Sequence, residues 1–189
     1  MAVLEVLQFP DPRLRRCAES VGEITDELRA LAADMLETMY DEPGIGLAAP
    51  QVGAPWRLAV VDTEWTEEGA ARSPVVLVNP EIREREGRIV WTEGCLSVPD
   101  FTAEVERSER VVLQALDLDG KEIVEEACGL RAVCFQHELD HLDGVLFIDR
   151  ISRLKRNLYV QKRKKALREG GASWHRAGER PPLAPDTRL

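Results

Sequence analysis

The chain has 189 residues, 44% of them hydrophobic, which suits one domain with a substantial core. No apolar run approaches the ~18 residues that a membrane-spanning helix needs, and the opening residues do not resemble a signal peptide. We therefore expect a soluble cytoplasmic protein, in which the four cysteines are reduced thiols rather than a disulfide framework.

The formal net charge of −9 hides an asymmetry along the chain. Residues 150–168 contain nine Lys or Arg and no Asp or Glu, so the remainder carries −18, the net −9 less these nine. Most charge runs are simply solvated surface. Nine uncompensated positive charges on an acidic protein also suit a polyanion such as ribosomal RNA, bound mainly through its phosphates.

Apolar residues at steps of three and four predict a first helix over residues 26–40, capped by Thr25 or Asp26. Pro43 and Gly44 end this helix, and residues 43–53 read as a loop. Four runs then have strand character, and the last of them suggests a hairpin that turns at Asp119-Gly120. These runs cover residues 57–63, 75–80, 87–94 and 109–120.

A second helix is predicted over residues 130–143 and ends at Gly144, and a third, basic helix begins near Ile151. Residues 1–169 are expected to form one domain. Residues 170–189 are rich in Gly, Pro and charge and are expected to be a disordered tail. Strands with flanking helices but no regular βαβ alternation predict an α+β fold, with mostly antiparallel sheets around the second helix.

The second helix contains the sequence CFQHELDH at residues 134–141. Positions i and i+4 of a helix lie on one face, so His137 and His141 can bind one metal ion together. Glu138 lies beside them, placed to reach a water on that ion, which is the arrangement of two nitrogen ligands and a general base. The alternative is a chance match in which both histidines are satisfied core residues.

A catalytic metal site needs a third protein ligand and an open position for water. Downstream of His141 the candidates fail, because residue 147 is Phe and the first glutamate is Glu169, at the edge of the tail. The best upstream candidate is Cys95, which follows a predicted strand and a glycine. Cys134, one turn before His137, could also reach inward but is more simply a small buried residue.

Three motifs in this order resemble those of bacterial-type peptide deformylases. They read G44-I-G-L-A-A-P-Q51, E93-G-C-L-S97 and Q136-H-E-L-D-H141, and the resemblance runs from about residue 5 to 168. It implies a cytoplasmic, monomeric metal-dependent hydrolase that removes the N-formyl group from the N-terminal methionine of nascent polypeptides and releases formate.

The resemblance also implies a role for each site residue. The metal ligands would be Cys95, His137 and His141, with Fe(II) as the native ion and Zn, Ni or Co as alternatives. Catalysis would use Glu138 as the general base and, as donors to the oxyanion, the side chain of Gln51 and the backbone N–H of Leu96. Substrate binding would involve Ile45, Gly46, Gly94, Val133 and His137, the last two as walls of the methionine pocket.

The resemblance further implies that the basic segment 150–168 docks on the ribosome, and we take Lys155, Arg156, Lys162, Arg163, Lys164 and Lys165 as its candidates. One departure from the family lies after EGCLSVPD, where many relatives carry an arginine and this chain has Phe101-Thr102-Ala103. This difference bears on the rim of the pocket rather than on the chemistry.

Two other functions fit parts of the pattern. A general metallopeptidase would share the HExxH motif but lacks a suitable downstream ligand. A structural metal site would need a fourth protein ligand, for which Cys134 is the candidate, and would leave Glu138 without a role.

Overall fold

The computed structural model describes residues 2–65 and 71–170. Three α-helices and seven strands confirm the predicted α+β fold. The helices are α1 (Asp26–Asp41), α2 (Gly129–Leu142) and α3 (Arg153–Arg168). The strands are β1 (Gly46–Ala48), β2 (Leu58–Val61), β3 (Val75–Glu86), β4 (Ile89–Cys95), β5 (Val98–Arg107), β6 (Arg110–Leu116) and β7 (Glu122–Cys128). Short 3-10 helices span Pro12–Arg15, Ala49–Val52 and Phe147–Asp149.

The strands form two antiparallel sheets. Five of them pair in the order β1-β2-β3-β6-β7, while β4 and β5 pair only with each other. The chain therefore leaves the large sheet at the end of β3, builds the β4–β5 hairpin and returns to the large sheet in β6. This excursion places the end of β4, which carries Cys95, outside the large sheet and next to α2.

Both faces of the large sheet are covered by helices. Along β2 all four residues are buried, and neighbouring residues belong to different clusters: Val60 lies in one with Met35 of α1, and Val61 in another with Phe135 of α2. Burial on both faces explains why β2 reads as a continuous apolar run rather than as an alternating one.

The helix that carries the HExxH motif lies at the centre of the molecule. Ten of the 14 residues of α2 are buried. It is followed by Gly144 at φ +72°, where a Cβ atom would lie 2.7 Å from the carbonyl oxygen of Arg15. Glycine is therefore required there by both the backbone conformation and the close approach of the N-terminal segment.

Most of the predicted elements are confirmed, and two were missed. The hydroxyl of Thr25 accepts a hydrogen bond from the Leu28 N–H at 3.3 Å and caps α1, as expected. Strand β1 lies inside the segment predicted to be a loop, and β5 was not predicted.

The expected tail, apart from Gly170, lies outside the described residues. No helix in the described part of the chain is long and apolar enough to cross a membrane.

Only two residues of α3 are buried, Tyr159 and Arg163. The ring of Tyr159 stacks on Phe101 with centroids 4.7 Å apart. The guanidinium of Arg163 donates to the carbonyl oxygen of Phe9 at 3.0 Å and to the side-chain oxygen of Gln8 at 2.8 Å. Arg163 therefore anchors α3 to the N-terminal segment. It does not belong to the exposed basic surface, where the sequence analysis had placed it.

We expect the substitution Arg163→Met to lower the free energy of unfolding by roughly 2–3 kcal/mol, because it keeps the aliphatic length but removes hydrogen bonds to a charged donor. The matched control is Lys164→Met, at an exposed neighbouring position. Urea unfolding of both variants and the parent measures the effect. Equal losses in both variants would show that Arg163 is not a specific anchor.

Candidate active site

Three side chains predicted to bind a metal converge where α2 meets the β4–β5 hairpin. Cys95 is the last residue of β4, and His137 and His141 lie one turn apart on α2. The Sγ atom of Cys95 lies 3.2 Å from Nε2 of His141, which itself lies 3.2 Å from Nε2 of His137. All three donor atoms lie within 4.8 Å of one another. The structure thus brings the predicted ligand set together.

This donor set fits a divalent transition metal in its spacing and its chemistry. Bonds of about 2.0–2.1 Å to His nitrogen and about 2.3 Å to Cys sulfur place the donors of a tetrahedral site about 3.3–3.5 Å apart. One thiolate and two imidazoles suit several such ions. Among the described residues no fourth His, Cys, Asp or Glu joins the group. A metal held there would keep a coordination position open, as catalytic sites do.

The two imidazoles differ in their electrostatic surroundings. Burial lowers the pKa of His141 well below its ordinary value, which keeps this ring neutral, the form that binds metals. Burial acts in the same direction on His137, but hydrogen bonds with Cys95 and Glu93 outweigh it and raise the pKa of His137 well above its ordinary value. Cys95 and Glu93 thus stabilise positive charge on His137, whereas burial opposes it on His141.

The orientation of His137 is set by Glu93. The carboxylate of Glu93 lies 2.9 Å from Nδ1 of His137, so a proton on Nδ1 is held by this partner and Nε2 is the nitrogen that a metal would bind in place of a proton. Burial opposes ionisation of Glu93, but the hydrogen bonds from Arg107 and His137 prevail and lower its pKa to about 2. Glu93 is therefore a carboxylate at any working pH.

Arg107 connects this carboxylate to a second one on α2. Its guanidinium makes two hydrogen bonds to Glu93, at 2.6 and 2.9 Å, and a third to Asp140 at 2.7 Å. The side chains of Glu93 and Arg107 are no more than 3% exposed. Arg150 also pairs with Asp140. Sequence reasoning missed this network, although Glu93 and Asp140 belong to two of the motifs it had singled out.

Gln136, the first residue of the third motif, fastens α2 to the turn that follows β5. Its side-chain amide donates to the carbonyl oxygen of Ser108 at 2.9 Å, and its oxygen accepts from the Ser108 N–H at 2.9 Å. The same oxygen accepts from Arg85 at 3.2 Å. This glutamine therefore positions the helix rather than contacting the metal ligands.

Glu138 is buried at the ligand cluster and has an unpartnered oxygen. Among the described residues no group hydrogen-bonds its Oε2 atom, and burial raises the pKa of Glu138 to about 7. Its carboxylate faces Gly46, where a Cβ atom would lie 2.4 Å from Oε1. Only glycine can occupy that position, because any side chain would displace Glu138. An orphaned carboxylate beside a ligand cluster is the arrangement expected of a general base for water.

Gln51 approaches the cluster from the opposite side. Its Oε1 atom accepts from the Ala48 N–H at 2.8 Å, which orients the Nε2 group toward Ser97 Oγ at 3.2 Å and Cys95 Sγ at 3.8 Å. The side chain is buried and neutral. The amide therefore presents a fixed N–H donor next to Cys95, as a group that stabilises an oxyanion must.

The main chain of Gly46 faces away from the sheet. Because the Asp62 N–H donates to the Ile45 carbonyl at 2.9 Å, residues 45 and 62 form a hydrogen-bonded pair. The next pair, Gly46 with Val61, is then a non-hydrogen-bonded one, so the N–H and C=O of Gly46 point outward from the edge strand β1. Ile45 and Gly46 were both predicted to bind the substrate. Gly46 offers its main-chain N–H and C=O for this, whereas the carbonyl of Ile45 already accepts from the Asp62 N–H.

A buried network holds this edge in place. Asp62 is fully buried and accepts from the Tyr40 hydroxyl at 2.7 Å and from the Ser73 N–H at 2.8 Å. The indole N–H of Trp65 donates to the Gly44 carbonyl at 3.0 Å, and its ring packs edge-on against Tyr40. Gly44 and Gly46 are therefore positioned by residues outside the three motifs, and no local pattern marked those residues as functional.

The remaining predicted residues surround the cluster. Leu96 lies in the two-residue turn between β4 and β5, immediately after Cys95, and Gly94 precedes Cys95 and is exposed. Val133 lies one turn before His137 and is buried. Phe101, in the stretch that lacks the family arginine, stacks on both Tyr159 and Phe147.

Cys134 does not join the metal ligands. Its Sγ atom donates to the Ile45 carbonyl at 3.5 Å, and burial raises the pKa of this thiol well above its ordinary value. A thiol held in its protonated form is a poor ligand, because metals bind the thiolate. The structural-metal alternative therefore lacks its fourth ligand among the described residues.

Comparison with known proteins agrees with this geometry. The family model "Polypeptide deformylase" matches residues 3–157. The chain is 55% identical over 170 residues to a peptide deformylase of Alkalilimnicola ehrlichii, which covers 90% of this chain and 94% of that one. A peptide deformylase of Rhizobium meliloti is 50% identical over 173 residues, which are 91% of this chain and 98% of that protein.

Solved structures give the same result. The crystal structure of a peptide deformylase from Legionella pneumophila has a TM-score of 0.82 at 43% identity, over 89% of this chain and 98% of that one. A peptide deformylase from Ehrlichia chaffeensis in complex with actinonin has a TM-score of 0.83 at 38% identity, over 89% and 99% of the two chains. The present chain therefore belongs to the polypeptide deformylase family, the metal-dependent hydrolases that remove the N-formyl group from nascent polypeptides.

Proposed function

We propose that Cys95, His137 and His141 hold the catalytic metal, natively Fe(II), and that the residues around them deformylate N-formyl-methionyl peptides. The observation that carries this proposal is the meeting of these three donors beside a buried, unpartnered Glu138 carboxylate. A divalent cation bound there supplies Lewis acidity, which lowers the pKa of water and polarises the formyl oxygen. The protein acts as a monomer in the cytoplasm.

Glu138 is the proton carrier in this mechanism. Its carboxylate takes a proton from the water that attacks the formyl carbon and then delivers a proton to the leaving amine. Burial supports this role, because a carboxyl whose pKa is raised to about 7 can both accept and release a proton near neutral pH. The close approach of Gly46 limits the positions that the carboxylate can adopt.

The oxyanion that forms on the formyl group is stabilised by Gln51 and by the backbone N–H of Leu96. The Gln51 amide is pre-oriented by its hydrogen bond from Ala48, so little reorganisation is needed during the reaction. Leu96 follows Cys95 in a tight turn, which keeps its N–H near the same point. Gln51 is neutral and does not compete as a metal ligand.

The substrate binds as an extended strand along β1. The outward N–H and C=O of Gly46 pair with the peptide main chain, in the manner of strand addition to a sheet edge. Ile45 and Gly94 flank this path, and Val133 and the His137 ring wall the pocket for the methionine side chain.

We expect the isosteric substitution Glu138→Gln to reduce formate release from formyl-Met-Ala-Ser by roughly 10²–10⁴-fold, because it removes the proton carrier but no metal ligand. Protein purified without oxygen and loaded with Fe(II) or Ni(II) is assayed beside the variant, and metal content is measured in both. The exposed Glu104→Gln change is the control. Full activity in metal-loaded Glu138→Gln would contradict this role.

The substitution Glu93→Gln should weaken metal binding by about 10–100-fold, because the partner that orients His137 loses its charge. Competition with a chromophoric chelator measures the affinity on the folded protein, separately from activity. Glu104→Gln, on the neighbouring strand, again serves as the control. An unchanged affinity would show that Glu93 does not position His137.

The exposed face of α3 is proposed to dock on ribosomal RNA. Lys155, Lys162 and Lys164 are exposed, and no carboxylate of the described residues pairs with them. Lys165 has only a weak surface pair with Glu169, at 3.8 Å. Arg156 pairs with Asp149 at 3.2 Å and contributes less. These free charges suit phosphate contacts, whose affinity falls as salt rises.

Changing Lys162, Lys164 and Lys165 together to Gln should reduce co-sedimentation with ribosomes at low salt and leave deformylation of a short peptide intact. A control with the same change in net charge replaces Arg29, Arg83 and Lys121, which lie elsewhere on the surface. Equal co-sedimentation of parent, variant and control would remove α3 as the docking element.

A further inference from the structure

A polar cavity of about 330 Å³ opens where the β4–β5 hairpin separates from the large sheet. Its lining includes Arg107, which bonds to the same Glu93 carboxylate that contacts His137. Two turns of the chain frame it, the one between β3 and β4 and the one between β5 and β6. Its lining consists of Arg85, Gly87, Arg88, Glu106, Arg107, Ser108, Gln136 and Arg150.

The lining is strongly cationic although the protein as a whole is acidic. Four arginines line the cavity and only one glutamate does. The charge of Arg107 is compensated by ion pairs with Glu93 and Asp140, and that of Arg150 by an ion pair with Asp140. Arg88 has only a surface pair with Glu106 at 3.5 Å, in which both side chains are more than half exposed.

Arg85 is the least compensated of the four. Its side chain donates to the neutral amide oxygen of Gln136 at 3.2 Å, and no carboxylate of the described residues pairs with it. Partial burial lowers the pKa of Arg85, Asp140 opposes this effect from a distance, and repulsion from Arg150 and Arg107 adds to it. Among the described residues, no carboxylate forms an ion pair with this partly buried guanidinium.

We propose that this cavity is a binding site for a phosphate group, either free or carried by a small molecule such as a nucleotide. Guanidinium groups match phosphate oxygens in geometry, and several arginines around one space suit an anion with more than one charge and several oxygens. A single carboxylate would engage only one of them. The volume is at the lower end of the range for small-molecule sites.

Arg85 and Arg88 are the principal ligands in this proposal, because their charges are the least used within the protein. Arg150 and Ser108 also line the cavity. The side-chain oxygen of Gln136 accepts from both the Ser108 N–H and Arg85, which fixes these two lining residues relative to each other. None of the principal ligands touches the proposed catalytic residues, so the site can be tested independently of deformylation.

The test is calorimetric titration of the metal-loaded protein with inorganic phosphate and, separately, with adenosine monophosphate, at constant ionic strength. We expect saturable binding of one anion per chain that weakens about ten-fold or more in Arg85→Gln, since a charge-assisted contact is lost. Arg83→Gln, on the same strand but outside the cavity, should bind like the parent. Formate release should be unchanged in both variants.

Tighter binding of the nucleotide than of phosphate would identify a phosphate carried by a larger molecule, and equal binding would identify the phosphate group alone. Equal affinity in parent and Arg85→Gln would overturn the proposal, because the anion would then lie elsewhere, at the metal or on α3. Absence of saturable binding of either probe to the parent would also overturn it. Loss of formate release in Arg85→Gln, with phosphate binding retained, would count against it in the same way.

Discussion

The buried guanidinium of Arg107 joins two elements that the active site needs together. One of the proposed metal ligands lies at the end of the β4–β5 hairpin and two lie on α2, and the hairpin pairs with no strand of the large sheet. Arg107 binds Glu93 in the hairpin and Asp140 in α2 at the same time. Because Glu93 also contacts His137, this one cation links the hairpin, the helix and the orientation of the His137 ring.

Such a network of buried charges contributes little net stability to the fold. Burying charges carries a desolvation penalty of several kcal/mol per ion, and well-packed apolar residues of similar volume are often as stable. The ions add direction, since a guanidinium donates its hydrogen bonds in one plane. A carboxylate whose pKa is lowered to about 2 keeps that direction at every pH the protein meets. The buried charges therefore fix the relative positions of Glu93, Arg107 and Asp140.

Local patterns in the sequence predicted much of this molecule and failed where distant residues decide the outcome. The helix α2 and its histidine pair follow from apolar spacing and the i, i+4 rule. The strand β5 was missed because Pro99 and Asp100, the latter at φ +58°, interrupt its start and Arg107 occupies an inward position that an apolar residue would normally fill. The roles of Trp65 and Arg107 depend on partners 21 and 33 residues away, which no local period reveals.

The outward-facing main chain of Gly46 bears on how many different proteins this enzyme can serve. A peptide that pairs with a sheet edge is recognised through amide groups that every residue possesses, and the glycine adds no side chain that could discriminate. Under the proposed function, selectivity then depends on the pocket proposed for the side chain of the first residue. Such a surface does not discriminate among the residues that follow the first one. This suits an enzyme whose substrates share only their N-terminal residue.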